Sequence, residues 1–95
     1  MIRVEIKAAA ENDLRDIARY IAQDNPSRAV SYVRELRAKV LSVGERPMSF
    51  PARIDWGAEL RSALHGKYVI VFRASADEVV VLRIIHGARD IAALF

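Results

Sequence analysis

Asn25-Pro26 is the feature that most limits what this chain can fold into. Proline has no amide to donate and its ring collides with the preceding turn, so no regular helix runs through position 26. Apolar residues keep helical spacing on both sides of it. Before it, Leu14, Ile17, Ala18 and Ile21 recur at i, i+3, i+4 and i+7 within a helix expected over residues 9–23, one apolar stripe. Glu11 and Asp13 stand near its start, where the helix dipole favours acids. After it, Ala29, Val33, Leu36, Val40 and Val43 form a second stripe, suited to packing against another helix. Asn25 is the expected N-cap, Pro26 the first helical position and Gly44 the residue just past the end. Two helices separated by so short a break fold back as an antiparallel hairpin.

Strand patterns flank this hairpin. Ile2, Val4 and Ile6 alternate with Arg3, Glu5 and Lys7, a half-buried strand. Residues 45–58 lose all periodicity, are punctuated by Pro47, Pro51 and Gly57, and carry Met48, Phe50, Ile54 and Trp56. They read as a loop held down by large side chains, long enough to be functional. Three strands follow: Leu60–Leu64, Tyr68–Arg73 and Val79–Ile85, with turns at 65–67 and 75–78. Tyr68–Arg73 is almost wholly apolar, as in a central strand covered on both faces. In the last strand, alternation puts Val79, Val81, Arg83 and Ile85 on one face and Val80, Leu82 and Ile84 on the other. The expected fold is α+β, in the order β-α-α-β-β-β, with a helical hairpin packed on a mainly antiparallel sheet. At 95 residues the chain holds a single domain, residues 1–95.

Composition excludes several classes. No cysteine is present, so neither a disulfide framework nor a thiolate metal site forms, and a reducing cytoplasm is the expected location. The charged, alternating start is not a signal peptide. The longest apolar runs, Tyr68–Phe72 and Val79–Leu82, are far too short to span a bilayer, so no membrane role is expected. No phosphate loop or nucleophile elbow occurs. Two histidines, His65 and His86, do not make a metal cluster, so no metal and no cofactor is expected. The net charge of +3 comes mostly from arginine, whose planar fork suits phosphates and carboxylates.

Arg83 stands out, a charge inside an apolar strand. Such a charge is rarely buried without a partner. Two readings stay open: an internal ion pair with a neighbouring carboxylate, or exposure on a concave face. Arg61 and Arg73 on adjoining strands, with His86 and Arg89 beyond Arg83, give that face a chance to gather cations for a phosphate or an acidic segment.

Several stretches together carry a likeness. They are Asp13-Leu14-x-x-Ile17-x-x-Tyr20-Ile21, Asn25-Pro26-x-x-Ala29, Leu60-Arg61, Tyr68-x-Ile70-x-Phe72-Arg73 and Arg83-Ile84-x-His86-Gly87-x-Arg89-Asp90. Over nearly the whole chain and in this order, they resemble the ParE/RelE toxin superfamily. The resemblance implies the toxin of a type II toxin–antitoxin system. ParE-like members poison DNA gyrase; RelE-like members cleave mRNA on the ribosome. Against RelE, Ala58-Glu59 replaces lysines, Val69 replaces an arginine and Phe95 stands nearest a tail tyrosine, while Arg89 matches. Against the YoeB-like branch, His86 is a stand-in for its His and Glu59 a candidate for its Glu, but Gly87 replaces a tyrosine.

The resemblance therefore favours a gyrase inhibitor that works by binding, neutralised by a ParD-like antitoxin, over an enzyme. Partner contact is expected at Arg61, Arg73, Arg83, His86, Arg89, Trp56 and Phe95. For Trp56, pinning the loop to the core is the competing role. The alternative is a ribosome-dependent endoribonuclease, with His86 as acid or base and Arg61, Arg83 and Arg89 holding phosphate. A third reading is a degenerate, non-toxic binding module.

Overall fold

The computed structural model describes residues 2–95. Strand β1 (Arg3–Ile6) leads into helices α1 (Ala8–Ala22) and α2 (Pro26–Glu45). A one-turn 3-10 helix at Pro47–Ser49 and a loop come next. Strands β2 (Leu60–His65), β3 (Tyr68–Ala74) and β4 (Glu78–His86) complete the sheet, and a 3-10 turn at Ile91–Leu94 ends the chain. The break at 25–26 behaves as expected: the Asn25 side chain accepts the Arg28 amide at 3.1 Å and Pro26 opens α2.

The sheet order is β1-β4-β3-β2. The β2–β3 and β3–β4 pairs are antiparallel hairpins, whereas β1 lies parallel to β4. The sheet is thus mixed, because the helical hairpin carries the chain back across it before β2 begins. Gly66, the first residue of the β2–β3 turn, has φ +57°, a position that favours glycine. Ala10, Leu14 and Ile17 of α1 join Leu36, Val40 and Val43 of α2 over Ile70, Phe72, Val79, Val81 and Ile84. The opposite face is covered by Trp56, Leu60 and Ile91, which pack on Val69, Val71 and Ile85. The central strand β3 is therefore buried on both faces.

Two expectations are corrected. The simple alternation along β4 fails. Val71 pairs with Arg83 but Phe72 pairs with Val81, so Leu82 is an extra residue in a β-bulge. The bulge restarts the alternation: Ile84 joins Val79 and Val81 under the helices and Ile85 turns to the other face. The second correction concerns Gly44, which does not end α2; the helix continues to Glu45.

Gly44 is instead a point of close approach. A Cβ there would lie 2.5 Å from Val4 Cγ2, and a β-branched side chain yields little. Two terms oppose each other in Gly44→Ala. Overpacking costs about 1–3 kcal/mol, and the better helix former returns about 1 kcal/mol. Gly44→Ala is expected to lower stability by about 1 kcal/mol in the native chain and to raise it in a Val4→Ala background. Urea unfolding of the four proteins measures both signs.

Candidate functional site

The chemistry expected at the end of the sheet gathers around His86, at the end of β4. The β3–β4 register sets Tyr68 opposite His86, and the β2–β3 register sets His65 opposite Tyr68. Tyr32 of α2 leans over this row. Ring centroids run His65–Tyr32 5.3 Å, Tyr32–Tyr68 6.0 Å and Tyr68–His86 5.5 Å, within the range where tilted and edge-on rings attract. Tyr20, 69% exposed on the last turns of α1, borders the same place. A hollow of about 540 Å³ opens between Tyr20, Tyr32, Lys67, Tyr68 and His86. A second of about 190 Å³ lies between Asp13, Asp16, Tyr20, His86 and Arg89.

Backbone bonds hold the turn after β4. The Gly87 amide donates to the Lys67 carbonyl at 2.8 Å and the Arg89 amide to the His86 carbonyl at 3.1 Å. The Ala88 amide donates to His86 Nδ1 at 3.1 Å. That bond assigns the proton of the neutral ring to Nε2, leaving Nε2 as the atom for a ligand. Burial pushes the phenols of Tyr32 and Tyr68 up, so both stay protonated at neutral pH and serve as donors. On the far side of Tyr32, Glu35 accepts from Arg28 and lies 3.0 Å from His65 Nε2. Arg28 first, and then His65, hold the Glu35 carboxyl below its usual range. The Tyr32 hydroxyl donates to the His65 carbonyl at 3.2 Å. Together these contacts tie α2 to the β2–β3 turn.

Arg83 belongs to a different arrangement. Its Nε and Nη2 donate to Asp13 Oδ2 and Oδ1 at 2.8 and 3.0 Å, a bidentate pair with α1. Asp13 Oδ2 also accepts the Ile84 amide at 2.8 Å. The internal-pair reading therefore describes Arg83, though the carboxylate stands on a helix. A similar fork joins Arg37 of α2 to Glu11 of α1 at 2.9 and 3.1 Å.

The arginines expected to gather do not meet. Arg61 sits opposite Phe72 and donates to the Phe50 carbonyl at 2.7 Å. Phe72 and Tyr68 are four residue steps apart on β3, roughly 13 Å along the strand, so Arg61 and His86 lie apart. Arg73, opposite Leu60, is exposed on the other face. Glu59, exposed with φ 68° at the start of β2, is also at the end of the sheet away from His86. Arg89 alone of the four arginines borders a hollow with His86. Trp56 is 8% exposed, beneath the Arg53 guanidinium at 3.7 Å from its ring, and so pins the loop. Phe95 is exposed.

Tyr20, Tyr32 and Lys67 are site neighbours that strand and helix patterns do not single out. Tyr32 and Glu35, one turn apart on α2, were the available signal. Among the described residues no group of three or more metal-binding side chains occurs, and no helix is long and apolar enough to cross a membrane.

The outer face of the helical hairpin carries a further groove. Ala18, Ala22, Val30 and Val33 line a hollow of about 520 Å³ that Arg19, Arg34 and Arg37 border. Val30 is 56% exposed there. Such an apolar floor with cationic rims fits an amphipathic helix with acidic flanks.

The model of the family described as ParE toxin of type II toxin–antitoxin system, parDE, matches residues 4–91. A chain of the chromosomal ParDE toxin–antitoxin system from P. aeruginosa superposes with TM-score 0.78 at 19% identity, covering 90% of this chain and 96% of that one. A chain of the toxin–antitoxin complex RelBE2 from Mycobacterium tuberculosis superposes with TM-score 0.67 at 21% identity, with the same coverage of each. At such identities the likeness is one of fold. No curated protein sequence matches the chain.

Proposed function

Because this chain belongs to the ParE toxin family of type II toxin–antitoxin systems, we propose that it acts by binding, that its target is DNA gyrase, and that a ParD-like antitoxin neutralises it. The observation that carries the reading is the Asp13–Arg83 pair. Cleaving RNA requires cations on the phosphate beside an acid and a base. Here Arg83 is neutralised by a carboxylate, and Arg61, opposite Phe72 and four strand positions from the row of His86, is held by the Phe50 carbonyl. His86 keeps Arg89 and Lys67 as its cationic neighbours, among tyrosines that stay protonated. Stacking and hydrogen bonding are what such a surface does best. The antitoxin's place is the hairpin groove, where acidic flanks of a helix would meet Arg34 and its neighbours.

Endoribonuclease activity is the second reading, favoured by one observation: His86 Nε2 remains uncommitted beside Lys67 and Tyr20. One paired experiment separates the two. Purified chain is added to gyrase with plasmid DNA, and in parallel to a translating extract. A several-fold rise in cleaved plasmid with intact messages is expected. Unchanged supercoiling and cleavage at saturating chain, with messages cut in phase with codons, overturns the gyrase reading.

A further inference from the structure

We infer that the free edge of β1 pairs with β1 of a second copy of this chain, joining two four-stranded sheets into one across a two-fold axis. β1 is an edge strand, and its hydrogen bonds show which groups are committed. The Arg3 amide donates to the Asp77 carbonyl and the Lys7 amide to the Val81 carbonyl, each at 2.9 Å. The strand period of two then turns Arg3, Glu5 and Lys7 toward β4, and the amides and carbonyls of Val4 and Ile6 outward. Among the described residues nothing pairs with that outer edge. The other edge, β2, is already in use: the Arg53 amide donates to the Leu60 carbonyl, the Ser62 amide to the Pro51 carbonyl, and Ala52 bridges Arg61.

The sequence of β1 complements itself. An antiparallel ladder with its dyad at Val4 lets Val4 exchange both bonds with its own copy, and Ile2 pair with Ile6 of the copy. Arg3 then faces Glu5 of the copy, twice, at the closer, non-bonded positions, where opposite charges stabilise the pair. Other registers do worse. A dyad through Glu5 sets Glu5 against itself and Arg3 against Lys7, like against like. A dyad at Ile6 would oppose Glu5 and Lys7, but α1 begins at Ala8 and cuts the ladder short. A slip by one residue would send the apolar side chains to the charged face.

The apolar side continues the match. Ile2, Val4 and Leu41 line a hollow of about 490 Å³ beside this edge, and Leu41 is 66% exposed. Closure across the dyad would cover these side chains and leave no open ladder at β1.

Sedimentation and light scattering of the purified chain over a concentration series test the pairing. A concentration-dependent dimer is expected. Arg3→Glu and Glu5→Arg are each expected to weaken it about tenfold, since two symmetric pairs become like-charged. The double variant Arg3→Glu/Glu5→Arg restores opposite charges and is expected to return native affinity. Both residues are exposed, so circular dichroism is expected to be unchanged. Slowed amide exchange at Val4 and Ile6 at high concentration is the second readout. A chain monomeric up to roughly 0.3 mM overturns the inference, whatever else then occupies the edge. So does a dimer indifferent to the single changes, or one that the double variant fails to restore.

Discussion

Asp13→Ala is expected to lower the unfolding free energy by about 3 kcal/mol and the melting midpoint by roughly 15 °C. The change deletes the acceptor of a bidentate pair and of the Ile84 amide together. Side-chain exposure is 28% for Arg83 and 12% for Asp13. Breaking a fully buried pair costs about 3–5 kcal/mol, and partial exposure places this one at the low end. The penalty is mostly the stranded guanidinium and amide, not the lost attraction. Arg83→Met added to Asp13→Ala is therefore expected to recover part of the loss, because no unpaired cation remains. Denaturant titration of the single and double variants gives the coupling energy. A loss under about 1 kcal/mol would place the pair in the class of solvated surface bridges, and Arg83 would again be available to a partner.

Phe72→Ala is expected to cost about 4 kcal/mol. Phe72 is fully buried in the centre of β3, and Phe50 meets its ring edge-on at 5.9 Å. Small domains hold about 5–15 kcal/mol in total, so this variant gives up a large share of its margin and is expected to melt roughly 20 °C lower. Phe72→Leu, which keeps most of the volume, is expected to lose about 1–2 kcal/mol and stay folded. The effect reaches the loop as well, since Phe50 presents the carbonyl that holds Arg61. Trp56 is the only tryptophan, so its fluorescence reports the loop while circular dichroism reports the helices. Coincident urea transitions in Phe72→Leu are expected for one cooperative unit. A loop transition at clearly lower urea would show that Phe50 and Phe72 are uncoupled.

Much of this architecture is legible in local pattern. Pro26 divides the helices and Asn25 caps the second because both effects act within one turn. The stripe from Ala29 to Val43 buries as its spacing demands, apart from Val33, which is half-buried. β3 is covered on both faces, as its unbroken apolar run requires. The candidate site was legible only in pieces. His86 and Arg89 carry the family likeness at the end of β4, but their neighbours Tyr20 and Tyr32 come from helices whose patterns report only which face is apolar. The expected gathering of Arg61, Arg73, Arg83 and Arg89 fails because strand position alone does not say which face or which end of the sheet a side chain reaches.

Arg83 joins the two levels. From the chain alone, a charge in an apolar strand demands a partner, since an unpaired charge is costly to bury. That much, with the helical hairpin, the three closing strands and the type of fold, follows from residues acting on near neighbours. Which carboxylate answers the demand was decided elsewhere. The parallel placement of β1 beside β4, the bulge at Leu82 and the packing of α1 on the sheet bring Asp13 to a residue 70 positions away. So too with Gly44, whose missing side chain makes room for Val4 and has no local signature. Contacts of this kind depend on how layers stack, and stacking is set by the whole core at once.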